Sequence, residues 1–205
     1  EQAGDLAPEH SYALVVTASD VSRQRLVRLP WDYVDYGLDP DEQSVVSAVA
    51  ASAAIPFFFE PVKLPRPGGT PATLLDGGLL SNFPVSLFDR PPGARPRWPT
   101  FGVRLSSRED ARVQTRKVSG VLSLALATVE TMIEACDARH IDEPCVVART
   151  VFVDTSGVSA VDFDLDEVTQ RHLLAQGRTA ARKFLAGWDW PTYLAQCRGM
   201  TEVGA

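Results

Sequence analysis

A chain of 205 residues, 45% hydrophobic and 22% charged, can bury a core and is too apolar for intrinsic disorder. Its net charge of −6 argues against a nucleic-acid partner and offers no polybasic patch for an anionic membrane. Its longest apolar run, Val118–Val129, falls short of the roughly 20 residues a membrane span needs.

In chain order, Tyr12–Ser19 is a β-branched apolar run that reads as a buried strand. A turn after Asp20 leads to a second strand near Arg25–Leu29. Asp39 then caps a helix with Pro40 at its first position and Glu42 three residues after the cap. That helix is expected to run through Val45, Val46, Val49 and Ala53 and to end by Ile55, because Pro56 disfavours helical geometry before it. Its small residues suit close packing on a sheet. A loop at Pro65–Pro71 precedes a short strand, Ala72–Leu75, that delivers Asp76 to a Gly77-Gly78 turn. Thr100–Leu105 reads as a strand, Val118–Arg139 as a long helix and Ala148–Asp154 as another strand. Asp166–Ala186 closes the pattern as an amphipathic helix that Gly187 stops. Strands alternating with helices predict a mostly parallel sheet covered on both faces, in one domain.

The cysteines Cys136, Cys145 and Cys197 are odd in number and irregularly spaced, so idle thiols in a reducing compartment are expected. No metal-ligand pattern or phosphate-cradling loop is visible, and no cofactor is expected. Glu1-Gln2-Ala3-Gly4 does not read as a signal peptide. A cytoplasmic protein, at most peripheral to a membrane, is therefore the expectation. The histidines His10, His140 and His172 lie in no catalytic context. Gly157-Val158-Ser159 carries only the first half of a Gly-x-Ser-x-Gly turn, and Ser159 reads as a loop hydroxyl.

The stretch Ala50-Ala51-Ser52-Ala53-Ala54-Ile55-Pro56-Phe57-Phe58-Phe59-Glu60-Pro61-Val62, followed by Leu74-Leu75-Asp76-Gly77-Gly78 and Asn82-Phe83-Pro84-Val85, closely resembles the second half of the catalytic domain of patatin-like phospholipases. The resemblance implies a three-layer α/β/α sandwich with a mostly parallel central sheet, of which residues 1–205 would be the C-terminal portion. It includes a Phe-rich strand after the Ile55-Pro56 helix end. It also implies a lipid acyl hydrolase, phospholipase A or another carboxylic ester hydrolase, working through a Ser–Asp dyad. Asp76 stands where the family has the general base, with Gly77 and Gly78 as the motif turn.

A serine hydroxyl attacks an ester only with a base within about 2.6–3.2 Å of its oxygen, and an ionised carboxylate can serve. The family's nucleophile elbow and its glycine-rich oxyanion turn have no counterpart in these 205 residues. The chain alone is therefore expected to be inactive and to need an N-terminal segment of the same domain as its partner. Ser52, Pro56, Phe57, Phe58, Leu79 and Asn82 are the candidate lining of the site. Ser81 is a further candidate, and Phe59, Leu80 and Phe83 are candidate groove walls. Met132 and Ile133, in the 118–133 helix, are candidates for transient contact with a lipid surface. The substrate partner is a lipid or other acyl ester, with no nucleic acid. The alternative reading is a noncatalytic lipid-binding or regulatory module on the same fold.

Overall fold

The computed structural model describes residues 12–81, 83–91, 93–105, 118–121, 123–125, 127–129, 131, 143–158 and 164–200. They fall into two compact units, one formed by residues 1–84 and 117–139 and the other by 85–116 and 140–205.

The first unit is built on a four-stranded sheet. Its strands are β1 (Val16–Asp20), β2 (Arg25–Leu29), β3 (Val62–Leu64) and β4 (Ala72–Asp76), in the order β2-β1-β4-β3. Every neighbouring pair is antiparallel. This departs from the mostly parallel sheet expected from the sequence. Only Val21–Gln24 joins β1 to β2, and only residues 65–71 join β3 to β4. A parallel pair needs a crossover of a dozen or more residues, so both connections enforce hairpins.

The period-two alternation puts Ala18, Val27, Leu29, Leu64, Ala72 and Leu74 in one buried cluster. Helix α1 (Val45–Ser52) contributes its Ala48 and Ala51 to that cluster, and their small side chains permit close approach. Leu74 is fully buried, so its truncation to Ala would cost about 2–5 kcal/mol. The opposite side of α1 exposes Val45, Val46 and Val49.

The single helix expected from Asp39 is two elements. Asp39 caps a 3-10 turn, Pro40–Glu42, by accepting from the Asp41 N–H. Gln43 is then extended, and Ser44 caps α1 by accepting from the Ser47 N–H. The described residues between 121 and 131 are helical, matching that part of the long helix expected there. Met132, Ile133, Cys136, His140 and the rest of that expected helix up to Arg139 lie outside the described residues, as do His10 and Ser159.

The second unit carries a two-stranded parallel sheet of β5 (Gly102–Leu105) and β6 (Thr150–Val153), Gly102 opposite Thr150. The helix Glu167–Gly187 follows, capped by Asp166, which accepts from the Thr169 N–H at 2.7 Å. Its half-buried stripe is Leu173, Ala180, Ala181 and Phe184, whereas Val168, Leu174 and Leu185 are exposed. The last helix, Trp190–Arg198, buries Tyr193 and Leu194.

A disulfide joins Cys145, in the short helix Pro144–Val147, to Cys197 in the last helix. This corrects the expectation of idle thiols. Distant spacing hid a pairing that the two helices create by placing the Cα atoms 5.4 Å apart. Among the described residues no helix is long and apolar enough to cross a membrane, and no metal-ligating cluster occurs.

Candidate active site

Asp76 is the last residue of β4, directly opposite Ala18 on β1. Paired residues share a sheet face, so the Asp76 carboxylate lies on the face that carries Ala18 and Leu74 and is covered by α1. The Asp76 N–H donates to the Ala54 carbonyl at 2.9 Å, which ties the strand end to the segment leaving α1. Immediately after Asp76 the chain turns into a 3-10 segment, Gly77–Leu79.

Asp76 caps that turn. Its Oδ1 accepts the Gly78 N–H at 2.7 Å. Among the described residues, nothing hydrogen-bonds to its other oxygen, Oδ2. Burial pushes the Asp76 carboxyl above its ordinary value, and the Gly78 N–H partly opposes the shift. One oxygen is thus held by the backbone, and the other, in a half-buried, desolvated position, has no partner among the described residues. That is the arrangement a carboxylate needs to take a proton from a hydroxyl placed against Oδ2.

Gly77 is required by the neighbouring strand. A Cβ there would stand 2.4 Å from both the carbonyl oxygen and the hydroxyl of Thr17. The turn therefore packs against β1 with no room for a side chain.

Around this centre, Pro56 is buried, while Ser52 and Leu79 are half-buried. Ser81 and Phe83 are half-buried, and Leu80 is exposed. Asn82 lies outside the described residues. Phe57, Phe58 and Phe59 are 61%, 44% and 50% exposed, so they present an apolar surface instead of filling the core. The expected Phe-rich strand is a turn. The Phe58 and Phe59 N–H groups both donate to the Ile55 carbonyl. Phe57 has φ of 70°, a left-handed conformation that bulky side chains avoid. The next strand begins only at Val62.

At the far end of β1, Asp20 is fully buried and takes four partners. The Ser22 and Arg23 N–H groups donate to Oδ1 at 2.9 and 3.1 Å, the Tyr36 hydroxyl donates to Oδ2 at 2.8 Å, and the Arg23 guanidinium lies 3.9 Å from Oδ2. This carboxylate is saturated, and its work is to hold the β1–β2 turn. The sequence places the turn after Asp20 but not the part its carboxylate plays in it. An Asp at a strand end with Ser two residues on is a signal for such a turn.

The patatin-like phospholipase family model matches residues 3–89. Over 178 residues, 87% of this chain, the sequence is 39% identical to "Uncharacterized protein YqhO" of Bacillus subtilis (strain 168). That alignment covers 59% of the relative, so the chain spans about three-fifths of its length. A shorter match, 51% identical over 41 residues, links 20% of this chain to 6% of the "RpoH suppressor" of Rhizobium meliloti (strain 1021). The patatin-like match thus covers the segment that carries Asp76, Gly77 and Gly78.

Proposed function

We propose that this chain is the base-bearing portion of a lipid acyl hydrolase, with Asp76 as the general base of a Ser–Asp dyad. The observation that carries the reading is the asymmetry of Asp76, with Oδ1 held by the Gly78 N–H and Oδ2 without a hydrogen bond among the described residues. The family match spans this residue and agrees with it.

In the proposed reaction, Asp76 Oδ2 takes the proton of a serine hydroxyl as its oxygen attacks the ester carbonyl. Collapse of the tetrahedral intermediate expels the alcohol, which recovers the proton, and leaves an acyl-serine. Water, deprotonated by the same carboxylate, then releases the fatty acid and restores the serine. Asp76 must be ionised for each attack, and its raised pKa brings its proton affinity nearer to that of a useful base.

The serine and its oxyanion donors are assigned to polypeptide outside these 205 residues. The longer relative supports this, since two-fifths of it lies beyond the aligned region. The mixed sheets described above then belong to a larger α/β/α sandwich completed by that segment. The partly exposed side of the turn, Phe57–Phe59 with Leu80, is assigned to the acyl or lipid-facing wall.

The test is fluorophosphonate labelling of this chain and of the longer protein containing it, followed by intact mass. Labelling of the longer protein alone is the expected result. A label on a serine of this chain, or on neither, would overturn the assignment.

A further inference from the structure

In the second unit, the segment between Asp89 and Gly102 is tied at both ends to one residue. The Arg149 guanidinium holds the Asp89 carboxylate, with Nη2 2.7 Å from Oδ2. The Arg149 carbonyl accepts the Gly102 N–H at 2.9 Å. Arg198 adds a third tie, its Nη2 donating to the Arg90 carbonyl at 2.9 Å. Residues 90–101 thus leave and re-enter the unit through a fixed neck, in the manner of an Ω-loop. Pro91, Pro96 and Pro99 fix their own φ angles, and the Ala94 N–H closes a turn on the Pro91 carbonyl at 3.1 Å.

This loop holds an indole in water. Trp98 is 71% exposed, whereas Trp31, Trp188 and Trp190 are half-buried. The Arg97 guanidinium lies over the Trp98 ring, 5.6 Å from its centre, and Arg95 is exposed two residues earlier. Among the described residues, no carboxylate pairs with Arg95 or Arg97. The local charge is also reversed. Between Asp89 and Glu109 the sequence has five arginines and no Asp or Glu, in a chain of net charge −6. The acidic total hides a basic segment.

Trp98 and its two arginines have the chemistry of an anionic bilayer boundary. There an indole buries its ring at headgroup level while its N–H stays hydrated, and each guanidinium reaches a phosphate. Stacking on Trp98 carries the Arg97 charge to the same depth as the ring. The tied neck and the prolines lower the ordering cost of docking. Single-stranded nucleic acid would need a basic groove along its backbone as well as a stacking ring, and the net charge of −6 works against one.

We propose that the 90–101 loop is an interfacial anchor that docks this protein on anionic phospholipid, with Trp98 inserted at headgroup level and Arg95 and Arg97 on lipid phosphates. The choice of a lipid partner rests on the acyl-ester substrate proposed above. The loop itself lies beyond the family match, which ends at residue 89.

The test is co-sedimentation of the longer protein containing this chain with vesicles of phosphatidylglycerol and phosphatidylcholine. Binding is expected, weakening with added salt and much weaker on pure phosphatidylcholine. Trp98→Ala should weaken it at least about tenfold. Arg95→Ala/Arg97→Ala should weaken it about 25-fold, and Arg95→Lys/Arg97→Lys should retain most of it. These side chains are exposed, so melting temperatures should stay at the parent value.

Absence of vesicle binding would overturn the inference, as would equal binding to pure phosphatidylcholine or affinity unchanged in both alanine variants. Binding of a single-stranded oligonucleotide that these variants lose, with vesicle binding intact, would assign the loop to nucleic acid and overturn it too. The readout is binding and not turnover. Failed vesicle binding therefore leaves the fluorophosphonate result standing, and an unlabelled serine leaves the vesicle result standing.

Discussion

The Tyr36 hydroxyl donates to Asp20 Oδ2 at 2.8 Å, with Tyr36 and Asp20 both buried. The pair joins the 3-10 segment Trp31–Tyr36 to the end of β1, while Arg23 and Arg25 lie over the Tyr36 ring. Burial first, then the hydrogen bond to Asp20, pushes the Tyr36 phenol up to about 12. A phenol whose pKa is raised by folding stabilises the fold while it is protonated in both states. That contribution is present below the unfolded value near 10 and is lost as pH rises through about 12. Chemical denaturation between pH 9 and 12 should show stability falling across that window, with a shallower fall in Tyr36→Phe. At neutral pH the same substitution should cost about 1.5–3 kcal/mol, the worth of a hydrogen bond to a charged group.

Gly77→Ala should destabilise the first unit. Its Cβ would meet the Thr17 backbone, which cannot move without displacing β1. Overpacking of this kind typically costs about 1–3 kcal/mol, and denaturant midpoints would measure it. Gly68→Ala is the control for a glycine that meets nothing within 4 Å, although its φ of 66° adds backbone strain of its own.

In the second unit, Arg149 and Asp89 form a two-pronged ion pair, with Nη2 2.7 Å from Oδ2 and Nη1 bonded to Oδ1. The Arg149 side chain is only 7% exposed. Asp89→Ala would leave that guanidinium buried without its partner and should cost about 3–5 kcal/mol. The double variant Asp89→Ala/Arg149→Met should recover much of the loss. A double-mutant cycle in urea would read both effects.

Closing the loop between Cys145 and Cys197 restricts the unfolded chain, and a disulfide of this kind is typically worth about 2–4 kcal/mol. Cys197→Ser should lower the melting temperature of the second unit, and a reductant should do the same to the parent sequence. Alkylation without reductant, read by intact mass, should modify no more than one of the three cysteines.

The features legible in the sequence were those that depend on local chemistry. Asp76 announced itself through a short apolar strand running into Gly77-Gly78, and β4, β5 and β6 lie where the apolar runs placed them. Asp166 capped the long helix as its position implied. What failed depends on partners distant in sequence. The Asp39 cap was read correctly, but Gln43 takes an extended conformation that splits the helix, and Ser44 supplies a second cap. Phe57–Phe59 has the composition of a strand and is a turn. Strand direction went astray because the β1–β2 connection, Val21–Gln24, lacks the Asn-Gly or Asp-Gly signal of a tight hairpin and instead uses Gln24 at φ 57°. The Tyr36–Asp20 bond and the Cys145–Cys197 pairing both arise from packing that no local pattern encodes.

The central claim is that Asp76 is a base, and Asp76→Asn in the longer protein tests it most directly. Asn keeps the oxygen that accepts from Gly78 and loses the ability to take a proton. Burial raises the Asp76 pKa, so ionised Asp76 costs the fold stability as pH rises above the ordinary carboxylate value, and Asn relieves that cost. The account predicts hydrolysis lowered about 10²–10⁴-fold with a melting temperature unchanged or raised. In the parent, the acidic limb of kcat/KM should lie above the ordinary Asp value of 3.8. Ester turnover near that of the parent in a folded Asp76→Asn variant would contradict the account.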